Sequence, residues 1–384
     1  MRSTIIKSLL VGVMASFSAL TMAADDYLDY GLYWFEGNNS SVKAVEHDGS
    51  VNSVPSNYYS NSKKTMILFH GWQNGSSQNG YKREGFYFRY ADIQLAQAWK
   101  NNGWNVGLFF WNQFADEGEV KDAEAKIWSK SGPRGMRYRL SDGSYRTTLA
   151  PNKSVGQIAF EQINAALANN TSGDVRFAGH SLGNQLATFT AKQIYDNNSF
   201  SPAFPNRIDL LDPFWSKNGK SYLGDLNGDG KNDWTGERVR WYLGEMISTH
   251  DIAVSWYKGS GILDLWIGDK NTSLESIVAF VHPRLWYLSS VDIATKHVHT
   301  KDIYLLSMSS APPAEVTISG WFNTRKQTGN LGPSAATCDD RIREMMVSDM
   351  DWWQAEGRYT PTTGDDMFEV AGNFNKNTPT ENCQ

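Results

Sequence analysis

The stretch RFAGHSLGNQ, residues 176–185, decides how the rest of the chain is read. An apolar approach ends in a glycine, a histidine, a serine and a second glycine. In the pattern Gly179-x-Ser181-x-Gly183 the serine stands where a strand reverses sharply into a helix, and the flanking glycines let the backbone cross itself there without a Cβ clash. A helix starting at that point aims its first N–H groups at any negative charge developing beside the serine. The pattern recurs by chance, so its meaning rests on its setting: DVRFAG before it reads as a strand, and LGNQLATFTAKQIYDNN behind it reads as a helix.

Working outward, the chain alternates. TMILFHGW (65–72) and NVGLFFWN (105–112) are continuous apolar runs of strand length, and ADIQLAQAWKNNGW (91–104) between them has helical spacing. The segment 114–152 has no clear period and reads as a surface excursion. SVGQIAFEQINAALANN (154–170) opens on a capping box formed by Ser154 and Gln157 and keeps its apolar residues on one helical face. RIDLLDP (207–213) and RVRWYLGEMIS (238–248) read as two more strands, EVTISGWFN as another, and CDDRIREMMVSDMDWW as helical. Strands alternating with helices predict an α/β fold, a mostly parallel central sheet with helices on both faces, followed by a C-terminal extension.

The 384 residues carry a net charge of -5 and 40% hydrophobic residues, enough for a large core and without a basic surface for phosphate backbones. Nucleic acid is therefore excluded as a partner. The N-terminus has Arg2 and Lys7, an apolar stretch from Leu9 to Leu20, and small residues at Ala23 and Ala24. This is the pattern of a cleaved signal peptide, so the mature protein is expected to be secreted or periplasmic. Cys338 and Cys383 are expected to close the tail with a disulfide, the reading an oxidising compartment favours. The predicted organisation is a signal peptide at 1–23, a catalytic domain at 24–300 and an extension at 301–384.

A serine at its free pKa is a weak nucleophile and needs an imidazole oriented by a carboxylate. For the carboxylate, Asp212 ends the strand at Pro213; Asp209 lies inside the apolar run and is the weaker choice, a strand-edge or paired residue. Four histidines lie downstream, His250, His282, His297 and His299. His250 is taken first, because it follows an expected strand and opens an expected helix; His299 comes second and His282 third. The oxyanion donors are expected to be the N–H of Leu182, directly after the nucleophile, and the N–H of Trp72 in HGWQNG.

Together these segments resemble an α/β-hydrolase of the pancreatic-lipase type: ILFHGW is similar to that family's oxyanion strand, GHSLG to its nucleophile elbow, LLDP to its acid segment, and STHDIAVSWY to its base segment. The resemblance spans roughly residues 62 to 265. It implies a secreted serine ester hydrolase of the lipase or phospholipase type, cleaving lipid acyl esters through an acyl-enzyme. It also implies membrane-surface or lipid-droplet contact, and no cofactor for catalysis. The alternatives kept open are an esterase or acyltransferase on non-lipid esters and a non-catalytic binding protein on the same scaffold. The acid-to-base interval of 38 residues, from 212 to 250, leaves little room for that family's lid.

Inside that interval, DLNGDGKND (225–233) places Asp225, Asn227, Asp229 and Asp233 at positions 1, 3, 5 and 9 of a calcium-loop pattern, with Gly230 at the turn and the carbonyl of Lys231 as a further ligand. The reading is a structural Ca²⁺ that stiffens the loop; a glycine-rich acidic turn without an ion is the alternative.

Overall fold

The computed structural model describes residues 27–37, 40–80, 84–264, 268–319 and 324–371. The expected signal peptide and Cys383 lie outside them. The strands are β1 (Gly31–Phe35), β2 (Ser41–Lys43), β3 (Lys64–Phe69), β4 (Tyr87–Phe88), β5 (Ile93–Gln94), β6 (Trp104–Phe110), β7 (Tyr138–Arg139), β8 (Tyr145–Arg146), β9 (Val175–His180), β10 (Arg207–Leu211), β11 (Ala253–Tyr257), β12 (Ala279–His282), β13 (Ala314–Ser319), β14 (Thr324–Leu331), β15 (Asp351–Glu356) and β16 (Met367–Ala371). The helices are α1 (Leu95–Asn101), α2 (Asn112–Ala115), α3 (Val120–Trp128), α4 (Val155–Ala166), α5 (Gly183–Asn198), α6 (Thr235–His250), α7 (Thr272–Glu275), α8 (Ile293–Leu306) and α9 (Asp339–Met346).

Twelve strands form one sheet in the order β14-β13-β16-β15-β12-β11-β10-β9-β3-β6-β1-β2, parallel from β6 through to β15; β1 and β2 add antiparallel at one edge, and at the other β16 is antiparallel to β15, β13 parallel to β16 and β14 antiparallel to β13. This is an α/β-hydrolase fold. The central strands β3, β6, β9, β10 and β11 are rich in apolar residues because helices cover both faces, and nearly every residue in them is buried. The capping box at Ser154 is present, with Gln157 N–H donating to Ser154 Oγ at 3.2 Å.

Three sequence expectations are corrected. RVRWYLGEMIS is not a strand but the body of α6: Val239, Leu243 and Met246 recur at helical spacing and are buried, while Trp241 faces out. The apolar run after His250 is in turn the strand β11, not a helix. The segment 114–152 is not merely a surface excursion, since α3 is buried from Asp122 onward and the segment carries buried charges. Among these, Glu117 pairs with Lys126 at 2.6 Å and takes Arg137 Nε at 2.8 Å, so the buried carboxylate is matched by cations.

The C-terminal segment continues the sheet. β15 pairs parallel with β12, and the boundary expected at residue 300 falls inside α8. Two buried arginines tie this segment to the centre. Arg207 of β10 pairs with Asp209 at 2.7 Å and donates to the carbonyls of Thr337 and Ser334 at 2.8 and 3.1 Å. Arg176 of β9 donates to the carbonyl of Ala335 at 2.8 Å. Asp209 is thus the paired residue that its place in the apolar run suggested, with Ser255 and Tyr304 also bonded to it.

The closest packing is backbone against backbone at the end of β9. A Cβ added to Gly183 would lie 2.0 Å from the carbonyl oxygen of Phe69, and one on Gly179 would lie 2.5 Å from Asn184 Cα. Gly183→Ala is expected to lower unfolding free energy by about 1–3 kcal/mol, because backbone cannot yield as a flexible side chain does. Gly118→Ala, where an added Cβ meets nothing within 4 Å, should stay within about 0.5 kcal/mol of wild type in urea titrations.

Candidate active site

Ser181 stands at the top of β9 with φ of 57°, in the left-handed region, and its N–H donates to the carbonyl of Leu211 at 3.1 Å. The serine side chain is nearly enclosed, at 9% exposure, and faces a cleft of about 910 Å³ whose lining includes Gly71, Trp72 and His297. Gly71 approaches so closely that a Cβ there would lie 2.6 Å from Ser181 Cβ. The loop after β3 is thereby pressed against the serine. Among the described residues, neither the Trp72 nor the Leu182 amide N–H has a hydrogen-bond acceptor, so both expected donors are unspent beside it.

Asp212 follows β10, also with positive φ (42°), and its N–H donates to the carbonyl of Tyr257 at 2.7 Å. Its carboxylate is buried and saturated. Oδ1 accepts the N–H groups of Gly259 and Ser260 at 2.9 and 3.0 Å, and Oδ2 accepts the Ser260 hydroxyl and, at 2.6 Å, the Nδ1–H of His297.

The imidazole at this corner is therefore His297, not the expected His250. Strand direction is the physical reason. His250 ends α6 three residues before β11 begins, so it sits at the N-terminal rim of the sheet, whereas Ser181 and Asp212 follow the C-terminal ends of parallel neighbours. A five-residue strand separates the two rims by roughly 15 Å at about 3.3 Å per residue. His250 instead packs edge-on against Tyr195 at 5.0 Å and contacts Thr249 Oγ1 through Nδ1 at 3.2 Å. His282 stacks on Trp353 at 3.6 Å, away from Asp212. His299 lines the cleft but meets the rings of Phe88 and Tyr90 at 5.0 and 5.1 Å.

His297 lies one turn into α8, whose start is marked by Asp292 accepting the Thr295 N–H at 3.0 Å. That Asp-x-x-Thr cap was visible in the sequence and is the signal that places His297 on a helix end rather than in a strand. His180, next to Ser181, is buried under α8. Its Nε2–H donates to the carbonyl of His297 at 3.0 Å, and the two rings lie 4.5 Å apart. Burial, and then the His297 charge, hold His180 well below the usual histidine range, so it stays neutral beside the His297 imidazole. Ser181 Oγ has no hydrogen-bond partner among the described residues; it shares the cleft with His297.

A charged group that the sequence reading missed lies in the same cleft. Lys301, one turn beyond His297, pairs with Glu84 and approaches Asp302 at 3.3 Å, and Gln73 Nε2 donates to Glu84 at 3.0 Å. Burial alone would raise the Glu84 carboxyl, but the Lys301 ammonium outweighs it and holds the group at about 2. These bonds join the loop bearing Trp72 to the helix bearing His297.

The five residues of the expected calcium loop are not gathered into a ligand set, and among the described residues no three carboxylate, histidine or cysteine groups converge as a metal site. Asp225 accepts the amides of Gly228 and Gly230 at 2.7 and 2.8 Å, Asn227 accepts the amide of Asp229, and Asp229 accepts that of Lys231. Asp233 is buried and bonded to Arg238 Nε at 2.8 Å. The loop is ordered by its own amide-to-side-chain bonds and by an arginine.

Comparison by sequence finds no matching protein family and no matching curated relative. Among solved structures the chain is similar to TT1662 from Thermus thermophilus, at 13% identity over 55% of this chain and 73% of that one, with a TM-score of 0.27. It is also similar to a butyrate-bound thermophilic esterase, Est2, from Thermogutta terrifontis, at 13% identity over 60% and 68% of the two chains, TM-score 0.24. A thioesterase domain from the curacin biosynthetic pathway matches at 12% identity over 52% and 74%, TM-score 0.24. Overlap this slight carries no argument about the site, which is read from its own geometry.

His70, under the oxyanion loop, has a defined tautomer: Nδ1–H donates to the carbonyl of Gly71 at 2.9 Å and Nε2 accepts the Trp111 N–H at 3.0 Å. Burial pushes it down to about 4 from an ordinary value of 6.5. Between those values the unfolded chain binds a proton that the folded chain refuses, so stability falls as pH drops through that window, by about 1.4 kcal/mol per unit. His70→Gln is expected to remove roughly 3 kcal/mol of that loss, read as the difference between variant and wild type in urea unfolding at about pH 7.5 and about pH 4.

Proposed function

We propose that the protein is a serine ester hydrolase whose nucleophile is Ser181, whose base is His297 and whose orienting acid is Asp212. The observation that carries this reading is the 2.6 Å bond from His297 Nδ1 to Asp212, made at the rim where Ser181 is held in a left-handed turn. Asp212 fixes the tautomer, leaving Nε2 to take the Ser181 proton as Oγ attacks the acyl carbon. The tetrahedral oxyanion is held by the N–H groups of Trp72 and Leu182. The imidazolium then returns its proton to the departing alcohol, and water releases the acid by the same route in reverse.

Lipid acyl esters are the substrates this reading favours, of the lipase or phospholipase kind expected from the sequence. Phe88, Phe110, Phe214 and Ile262 supply apolar cleft walls, and Trp72, Tyr87 and Tyr90 are exposed around its lining. The Glu84–Lys301 pair in the same cleft favours a second reading, an ester with a short or polar acyl group, because a long alkyl chain leaves such charges unsolvated. Hydrolysis of p-nitrophenyl esters of increasing chain length separates the two.

Ser181→Ala and His297→Ala are each expected to lower kcat by about four to six orders of magnitude, with folding unchanged. His250→Ala should leave kcat within about twofold of wild type, since a distant surface histidine contributes nothing to the transition state. Covalent labelling of wild type, but not of Ser181→Ala, by a fluorophosphonate probe is the companion measurement. A His297→Ala enzyme with wild-type turnover would sink the assignment.

A further inference from the structure

Beyond β12 and beyond β15 the chain leaves the sheet at the same rim, because the two strands are parallel to each other and to β9, β10 and β11. That rim is the one bearing Ser181 and Asp212. The two exits are tied by the Trp286 N–H, which donates to the carbonyl of Arg358 at 2.8 Å. They interleave cations with rings. The Arg358 guanidinium lies 4.3 Å over Trp286 and 5.1 Å from the ring of Tyr359, and that of Arg284 lies 5.2 Å from Trp353 and 5.5 Å from Trp286.

Among the described residues neither arginine has an ion-pair partner, and Arg358 Nε is buried without an acceptor. The nearest opposing influence on Arg284 is Glu369, acting at a distance beyond an ion pair. In a protein of net charge -5, two adjacent guanidinium groups without a carboxylate are a local excess of positive charge. The rings beside them are open to solvent, Trp286 at 46% and Tyr359 at 61%. The patch also reaches the cleft: Tyr287, next to Trp286, lies 5.5 Å from Tyr90, which is 54% exposed and lines the cleft.

We infer that Arg284, Arg358, Trp286 and Tyr359 form a docking surface for an anionic lipid bilayer that brings the cleft onto it. Arginine at this position gains from the negative surface potential and from headgroup phosphates, which it can bind bidentately. Tryptophan and tyrosine place an apolar body below the headgroups and a polar edge among them. The aromatic share of the patch favours a bilayer over a hydrated polyanion, for which exposed rings would add little. The rest of the acidic surface is repelled by the same membrane, so this face alone is presented. The inference extends the lipid-ester reading, and binding is measured without turnover.

The test is co-sedimentation of the full chain carrying Ser181→Ala with vesicles of phosphatidylcholine alone and of phosphatidylcholine mixed with phosphatidylglycerol. Binding is expected only to the mixed vesicles and to weaken with salt. Arg284→Gln and Arg358→Gln should each weaken it about fivefold, and together about 25-fold; Trp286→Ser should weaken it as well, with thermal unfolding of every variant unchanged. Equal binding to both vesicles, no binding to either, an unaffected double variant, or capture by dextran sulfate in preference to vesicles would overturn the inference. Hydrolysis of a soluble short-chain ester by the otherwise wild-type chain, with and without the two arginine substitutions, should be the same. Its absence from wild type would refute the hydrolase reading while leaving the vesicle result standing.

Discussion

The structure depends on one place where backbone meets backbone without room for a side chain. Gly183 abuts the carbonyl oxygen of Phe69, Gly179 abuts Asn184, and Gly71 abuts Ser181. Because α5 starts so close to the ends of β3 and β9, the serine between them has to take a left-handed conformation, which a non-glycine residue adopts only at a cost. Ser181 lines the cleft from that turn, beside Gly71 and Trp72 of the loop after β3. The serine turn and the approach of that loop are consequences of a single packing constraint.

A second constraint holds the partners. Asp212 is saturated by donors from the loop after β11 as well as by His297, so its position is set by the strand order rather than by its own side-chain rotamers. His297 arrives 85 residues later on α8. That helix is fixed from below by His180 and by Tyr304, which reaches Asp209 in the buried Arg207 pair. The same pair secures the C-terminal segment through Ser334 and Thr337. Residues past 300 thus belong to the scaffold that aligns the site, and they also supply half of the arginine–aromatic face beside it.

Charge is used differently at the two ends of the cleft. Inside it, Glu84, Lys301 and Gln73 neutralise one another and brace the loop of Trp72 against α8. Outside it, Arg284 and Arg358 are backed by rings and form no ion pair with a carboxylate among the described residues. The inner group stabilises a geometry, while the outer one leaves a field directed away from the protein.

What the amino-acid order by itself determined was local. The apolar runs of β3, β6 and β9, the capping box at Ser154, the glycine spacing around Ser181 and the strand-ending Asp212 are all short-range patterns, each carrying its own physical cause within a few residues. RVRWYLGEMIS suits either a strand or a helix by length and apolar content; only burial of Val239, Leu243 and Met246 on one face distinguishes them. As a helix rather than a strand, it leaves His250 at the rim opposite Asp212. Which imidazole reaches Asp212 was decided by tertiary structure alone, since it depends on the direction in which each strand crosses the sheet and on two further strands inserted before α8. The 225–233 loop shows the same division: the sequence supplies the acidic residues at their spacing, and the folded loop ties Asp225 and Asp229 to its own amides and Asp233 to Arg238. Spacing along a chain limits which groups can meet, and the paired strands settle which of them do.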